Sequence, residues 1–177
     1  MPFTNDPLDL DSLPALEQAP LTPVSPRLAP CQAVSLLGRW ALVTLLVLFF
    51  PVQHEAAAEW QLVAATAVAL VGLAAVGLGW VEARRRAYGV REHDLIYRRG
   101  LLVRRTQVLP LVRLQHVETL SNPVERAFGL VRLACFTAGG RGADLLLEGL
   151  PASRAEAVKQ HLLARLEGTS PSSSEAP

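Results

Sequence analysis

The chain has 177 residues, half of them hydrophobic, with 17 basic against 16 acidic side chains and two cysteines. The near-neutral total hides an uneven distribution: residues 1–83 hold two Arg against seven acids, whereas residues 84–167 hold fourteen Arg and one Lys against eight acids. With a nearly uncharged stretch between Trp40 and Val81, the composition excludes one uniform soluble domain, and Cys31 and Cys135 lie in such different contexts that they read as free thiols.

Residues 1–32 carry Pro2, Pro7, Pro14, Pro20, Pro23, Pro26 and Pro30 with several acids, and lack the basic start and apolar core of a secretory signal. They are expected to be a disordered, Pro-rich cytoplasmic lead. Leu28-Ala29-Pro30-Cys31 has the look of a lipoprotein box, but Pro precedes the Cys and the apolar stretch follows it, which argues against lipidation.

Residues 33–83 read as a transmembrane helical hairpin. Trp60 to Val81 is 22 residues without an ionisable side chain, which as a helix is ~33 Å long and suffices to cross the hydrocarbon core of a bilayer. The partner span, Ala33 to Val52, is interrupted by Arg39, whose long side chain can snorkel to the headgroups. Gln53 to Glu59 carries no Lys or Arg, whereas Arg27 and Arg39 lie before or within the first span and Arg84, Arg85 and Arg86 follow the second. The positive-inside rule then puts both termini in the cytoplasm. Trp40, Trp60 and Trp80 are expected at membrane boundaries. Ala65, Ala69, Gly72 and Gly79 form a low-relief stripe for packing within the hairpin or for a homo-oligomer contact.

Residues 84–167 read as a β-rich domain closed by a helix. Leu95 to Arg98, a turn at Arg99-Gly100 and Leu101 to Leu109 make a hairpin. Leu114 to Leu120 is a further strand, Ser121-Asn122-Pro123 a turn, and Val124 to Phe128 a short helix. Val131, Leu133 and Cys135 alternate with Arg132 and Ala134, and Gly139-Gly140-Arg141-Gly142 leads into a strand from Asp144 to Leu150. Ser153 and Glu156 read as a capping box for a final amphipathic helix with Ala155, Val158, Leu162 and Leu166 on one face. The tail, residues 168–177, is expected to be disordered.

Tyr97-Arg98-Arg99-Gly100-Leu101-Leu102, the run from Leu109-Pro110-Leu111 through Arg113-Leu114-Gln115-His116-Val117, Arg126-Ala127-Phe128-Gly129-Leu130 and Thr137-Ala138-Gly139-Gly140 together resemble the YdbS-like bacterial pleckstrin-homology (PH) family. The resemblance covers about Leu36 to Leu166. It implies an α+β membrane protein: a two-helix transmembrane hairpin followed by a PH-like bent antiparallel sheet with a C-terminal helix, a binding scaffold without catalytic chemistry or cofactor. It also implies a subunit or scaffold role in a bacterial inner-membrane complex, with a larger multi-PH-domain relative as a partner.

His54, His93, His116 and His161 show no metal-ligand spacing, and no nucleophile elbow, P-loop or dinucleotide fingerprint occurs. His116 is expected to pack or hydrogen-bond within the sheet, and the glycine run to be a permissive turn rather than a phosphate cradle. Arg84, Arg85 and Arg86 are membrane-proximal charges that fix topology and attract anionic lipid. Arg98, Arg99, Arg104 and Arg105 are either a solvated face or the contact for membrane lipids or a protein partner. With few aromatics among the arginines, nucleic acid is not the expected ligand.

Overall fold

The structure of the chain, a computed structural model, describes residues 21–50, 55–138 and 142–169. The apolar stretches form two helices, α1 (Leu28–Leu48) and α2 (Glu55–Arg85), packed side by side. The small residues of α2 set their spacing. A methyl group on Gly72 would fall 2.7 Å from Trp40 Cβ, and one on Gly79 would fall 2.7 Å from Leu36 Cδ1. Packing within the hairpin therefore uses both glycines. This contact puts Trp40 opposite Gly72, eight residues or ~12 Å along the helix from Trp80. Trp40 and Trp80 therefore stand at different heights along the hairpin.

Two antiparallel sheets follow. The first has the order β1 (Thr22–Pro23), β2 (Ala87–Val90), β3 (Asp94–Arg99), β4 (Arg105–Pro110); the second has the order β5 (Leu114–Leu120), β6 (Leu130–Thr137), β7 (Leu145–Pro151). A 3-10 turn, Leu111–Arg113, links them, a short helix α3 (Pro123–Ala127) joins β5 to β6, and α4 (Ala152–Thr169) ends the fold. Leu95, Tyr97 and Leu109 from the first sheet meet Val117, Leu133, Cys135 and Leu147 from the second. Ala155, Val158 and Leu162 of α4 pack on this core, with Leu166 partly buried beside them, as the periodicity predicts. The two cysteines are free and buried.

Local chemistry explains the turns. Asn122 Oδ1 accepts from the backbone N–H of Glu125 at 2.7 Å, and Glu125 Oε2 accepts from the N–H of Asn122 at 2.9 Å, closing a capping box at α3. Gly129, at φ +67°, takes the chain into β6 in a conformation that side chains disfavour, and Phe128 packs half-buried against the core. His116 Nε2 lies 3.2 Å from Glu118 Oε1 on an exposed strand edge.

Four expectations are corrected. Residues 21–32 are part of the fold: β1 pairs with β2, and Val24, Leu28, Ala29 and Cys31 are buried in the core. Gly149 allows this, because at φ +81° and without a side chain it lets Leu28 press onto β7; a methyl there would fall 2.6 Å from Leu28 Cδ2. The hairpin is shorter than expected, since its second strand starts at Arg105 and residues 101–104 are loop. Burial does not follow the expected alternation in β6, since Ala134 is fully buried along with Leu133 and Cys135. Helix α4 begins at Ala152, so Ser153 stands inside its first turn and not at the cap. The expected turn at 139–141, most of residues 1–32 and the tail from 170 lie outside the described residues.

Candidate functional site at the junction of helices and sheets

The last turn of α2 carries Glu82, and the chain leaves the helix at Arg86, four residues on, where the two side chains meet on one face. Arg86 Nε donates to both Glu82 oxygens at 3.0 and 2.9 Å, and Nη2 donates to Oε2 at 2.6 Å. Its other terminal nitrogen, Nη1, donates to Glu148 Oε2 on β7. With the amide oxygen of Gln32 turned toward the guanidinium, α1 contributes a further acceptor at 3.0 and 3.2 Å. Glu82 Oε1 also accepts from the backbone N–H of Gly100 at 3.1 Å, so the β3–β4 loop joins the same network.

Arg86 is only 9 % exposed. Burial opposes its charge, but the hydrogen bonds to Glu82 and the negative charges of Glu82 and Glu148 outweigh that cost and hold its pKa above the ordinary value. Tyr97 lies beneath it. Burial pushes the Tyr97 hydroxyl up, and the hydroxyl feels the charges of Arg86 and Glu148 without a hydrogen bond of normal geometry. Arg86 is thus an internal clamp joining α1, α2, β7 and the loop, while Arg84 and Arg85 beside it are exposed. Arg84 stacks over Trp80, its guanidinium carbon 5.4 Å from the ring centroid.

The four arginines of the hairpin cluster at the near end of β3 and β4. Arg98 and Arg99 are half-buried, Arg104 and Arg105 exposed, and among the described residues no carboxylate pairs with any of them. Arg99 stands directly across from Arg105 in the ladder. Like charges at facing positions are unfavourable unless an anion lies between them. Gly100, at φ +103°, makes the turn so tight that any side chain there would run into the Val103 carbonyl. The turn leaves Leu102 91 % and Val103 69 % exposed. Sequence reading found the arginines but missed the Arg86 clamp, although the i,i+4 spacing of Glu82 and Arg86 was its visible half.

A concavity of about 310 Å³ opens at the far end of β4 between Gln107, Pro110, Arg113, Thr137 and Asp144. Asp144 there accepts from the Thr137 hydroxyl at 2.7 Å and from its N–H at 2.8 Å, which holds the exposed carboxylate below its usual range. These bonds fasten the ends of β6 and β7. Among the described residues no three His, Cys, Asp or Glu side chains gather as a metal site.

Two antiparallel sheets enclosing one core, with an amphipathic helix last, define a PH-like domain, here carried on two apolar helices. The chain belongs to the bacterial PH domain family, whose sequence model matches residues 35–166. That match takes in most of α1, all of α2 and strands β2 to β7, and leaves out β1. Comparisons with curated proteins and with solved structures found no match. Domains of this family are consistent with a non-enzymatic binding module.

Proposed function

We propose that this chain is a two-pass protein of the bacterial cytoplasmic membrane, close to the YdbS-like branch of its family. In this reading it acts by binding, as a subunit or scaffold that holds a PH-like domain on the cytoplasmic face of a membrane complex. The Arg86 clamp carries the reading, because it joins both apolar helices to the domain and so fixes how the domain is presented. The apolar stretches Leu28–Leu48 and Glu59–Arg85, of 21 and 27 residues, have mean hydropathies of 1.7 and 2.3, yet only 11 % of each apolar window is buried within the molecule. Such surface needs a lipid environment more than a soluble core does. The pairing of β1 with β2 also supports an even number of crossings, since β1 precedes both helices and β2 follows them.

Topology reporters at residues 1 and 177 are expected in the cytoplasm and one inserted near Ala57 outside; opposite sides for the two ends would refute the two-pass reading. Purification in mild detergent is expected to retain a second membrane protein, such as a larger relative with several such domains. A chain that migrates alone from native membranes, after crosslinking as well as before, would remove the complex from the proposal.

A further inference from the structure

The β3–β4 loop comes back to the helices. Arg98 pairs with Ala87, the first residue of β2, so residues 99–104 run past the start of that strand toward the end of α2. The hydrogen bond from Gly100 to Glu82 fixes the loop against the last helical turn. Glu82 follows Val81, the last residue of the uncharged stretch, and stands two residues beyond Trp80. Trp60 and Trp80 are twenty residues apart, ~30 Å along a helix, the thickness of a bilayer's hydrocarbon core.

We propose that Leu102 and Val103 enter the boundary between headgroups and acyl chains of the same membrane, with Arg104 and Arg105 holding anionic phospholipid headgroups beside them. This rests on the membrane-anchored reading above. Three observations favour a lipid surface over a protein. Gly100 makes a tight turn, and the two apolar side chains that follow it, Leu102 and Val103, stand exposed at its tip. The tip is level with the end of the apolar helix, where a bilayer interface would be continuous with the lipid around α2. Arg84 and Arg85 at the end of α2 and Arg98, Arg99, Arg104 and Arg105 beside the loop have no carboxylate partner among the described residues, while Glu82 and Glu148 are taken by Arg86. An apolar tip ringed by cations matches an anionic interface. Bidentate guanidinium groups suit phosphate, and phosphate between Arg99 and Arg105 would relieve their facing charges.

The test is made on the full chain in vesicles of phosphatidylglycerol and phosphatidylcholine. Nitroxide labels are placed singly by Leu102→Cys, Val112→Cys and Leu70→Cys; the native cysteines are buried, so labelling of the unaltered chain sets the background. Leu70 is exposed on α2, and Val112, 79 % exposed, sits beyond Pro110 at the opposite end of β4 from the tip. The label at 102 is expected to collide more with oxygen than with a water-soluble nickel chelate, the label at 112 the reverse, and the label at 70 almost solely with oxygen. A label at 102 that behaves as at 112, while that at 70 stays in the bilayer, would overturn the insertion and leave the anchored reading standing. An aqueous label at 70 would overturn both. Arg104→Gln with Arg105→Gln is expected to move the label at 102 toward water, and an unchanged depth would refute the role given to those arginines.

Discussion

Replacing Arg86 by methionine keeps much of the side chain's length and removes its charge and five donors. Glu82 and Glu148, with side chains 20 % and 22 % exposed, are then left facing one another and Tyr97 without a cation. Removing one partner of a buried ion pair costs about 3–5 kcal/mol, because the remaining charge is desolvated and uncompensated. Partial exposure of both carboxylates places Arg86→Met near ~3 kcal/mol, a change of more than a hundredfold in the opening equilibrium. Burial of Cys135 provides the assay: the rate at which a maleimide reaches this thiol in the full chain reports opening of the core. Glu82→Gln with Glu148→Gln in the Met variant should recover part of the loss. A Met variant whose thiol is as protected as the parent's at pH 7 would refute the clamp.

Three other outcomes follow from the packing. Gly149→Ala combines a disfavoured φ with a methyl pressed onto Leu28, so it should destabilise by at least ~2 kcal/mol and raise Cys31 labelling; unchanged labelling would mean that Leu28 does not pack there. Phe128→Ala should cost about 2 kcal/mol, below the 3–5 of a fully buried ring, because Phe128 is half-buried; an unchanged melting temperature would show the ring unpacked. Burial pushes the Cys135 thiol up to about 11 from an ordinary 9.0, so its preference for the folded state is whole below pH 9 and is lost as pH rises toward 11. Thiol protection that stays flat across that range would contradict the burial.

Short apolar runs between turn residues made the strands Leu114–Leu120 and Leu130–Thr137 legible, and a period of 3.6 made the buried face of α4 legible, although burial alternates strictly in neither strand. What escaped depended on partners far away in the chain. Thr22-Pro23 carries no strand signal of its own and is a strand only because β2 offers it an edge, and Leu28 to Cys31 is core only because Gly149 makes room. Ala87 to Val90, a strand of four residues with a glycine in it, had too little pattern to be seen. For the candidate site, the arginines of the hairpin stood out by composition. Their relation to α2 rests on one backbone hydrogen bond from Gly100, and no residue type announces such a bond.

The pairing of β1 with β2 also bears on biogenesis. Val24 and the first turns of α1, with Leu28, Ala29 and Cys31, are synthesised before α2, yet they complete a core most of whose members follow it. If the helices cross a bilayer, a nascent chain that makes only one crossing strands its first core residues on the wrong side. The domain then has no β1, no Leu28 against Gly149 and no Gln32 beside Arg86. Correct insertion becomes a condition of folding, and a quality-control protease that recognises an open core would in effect be proofreading topology.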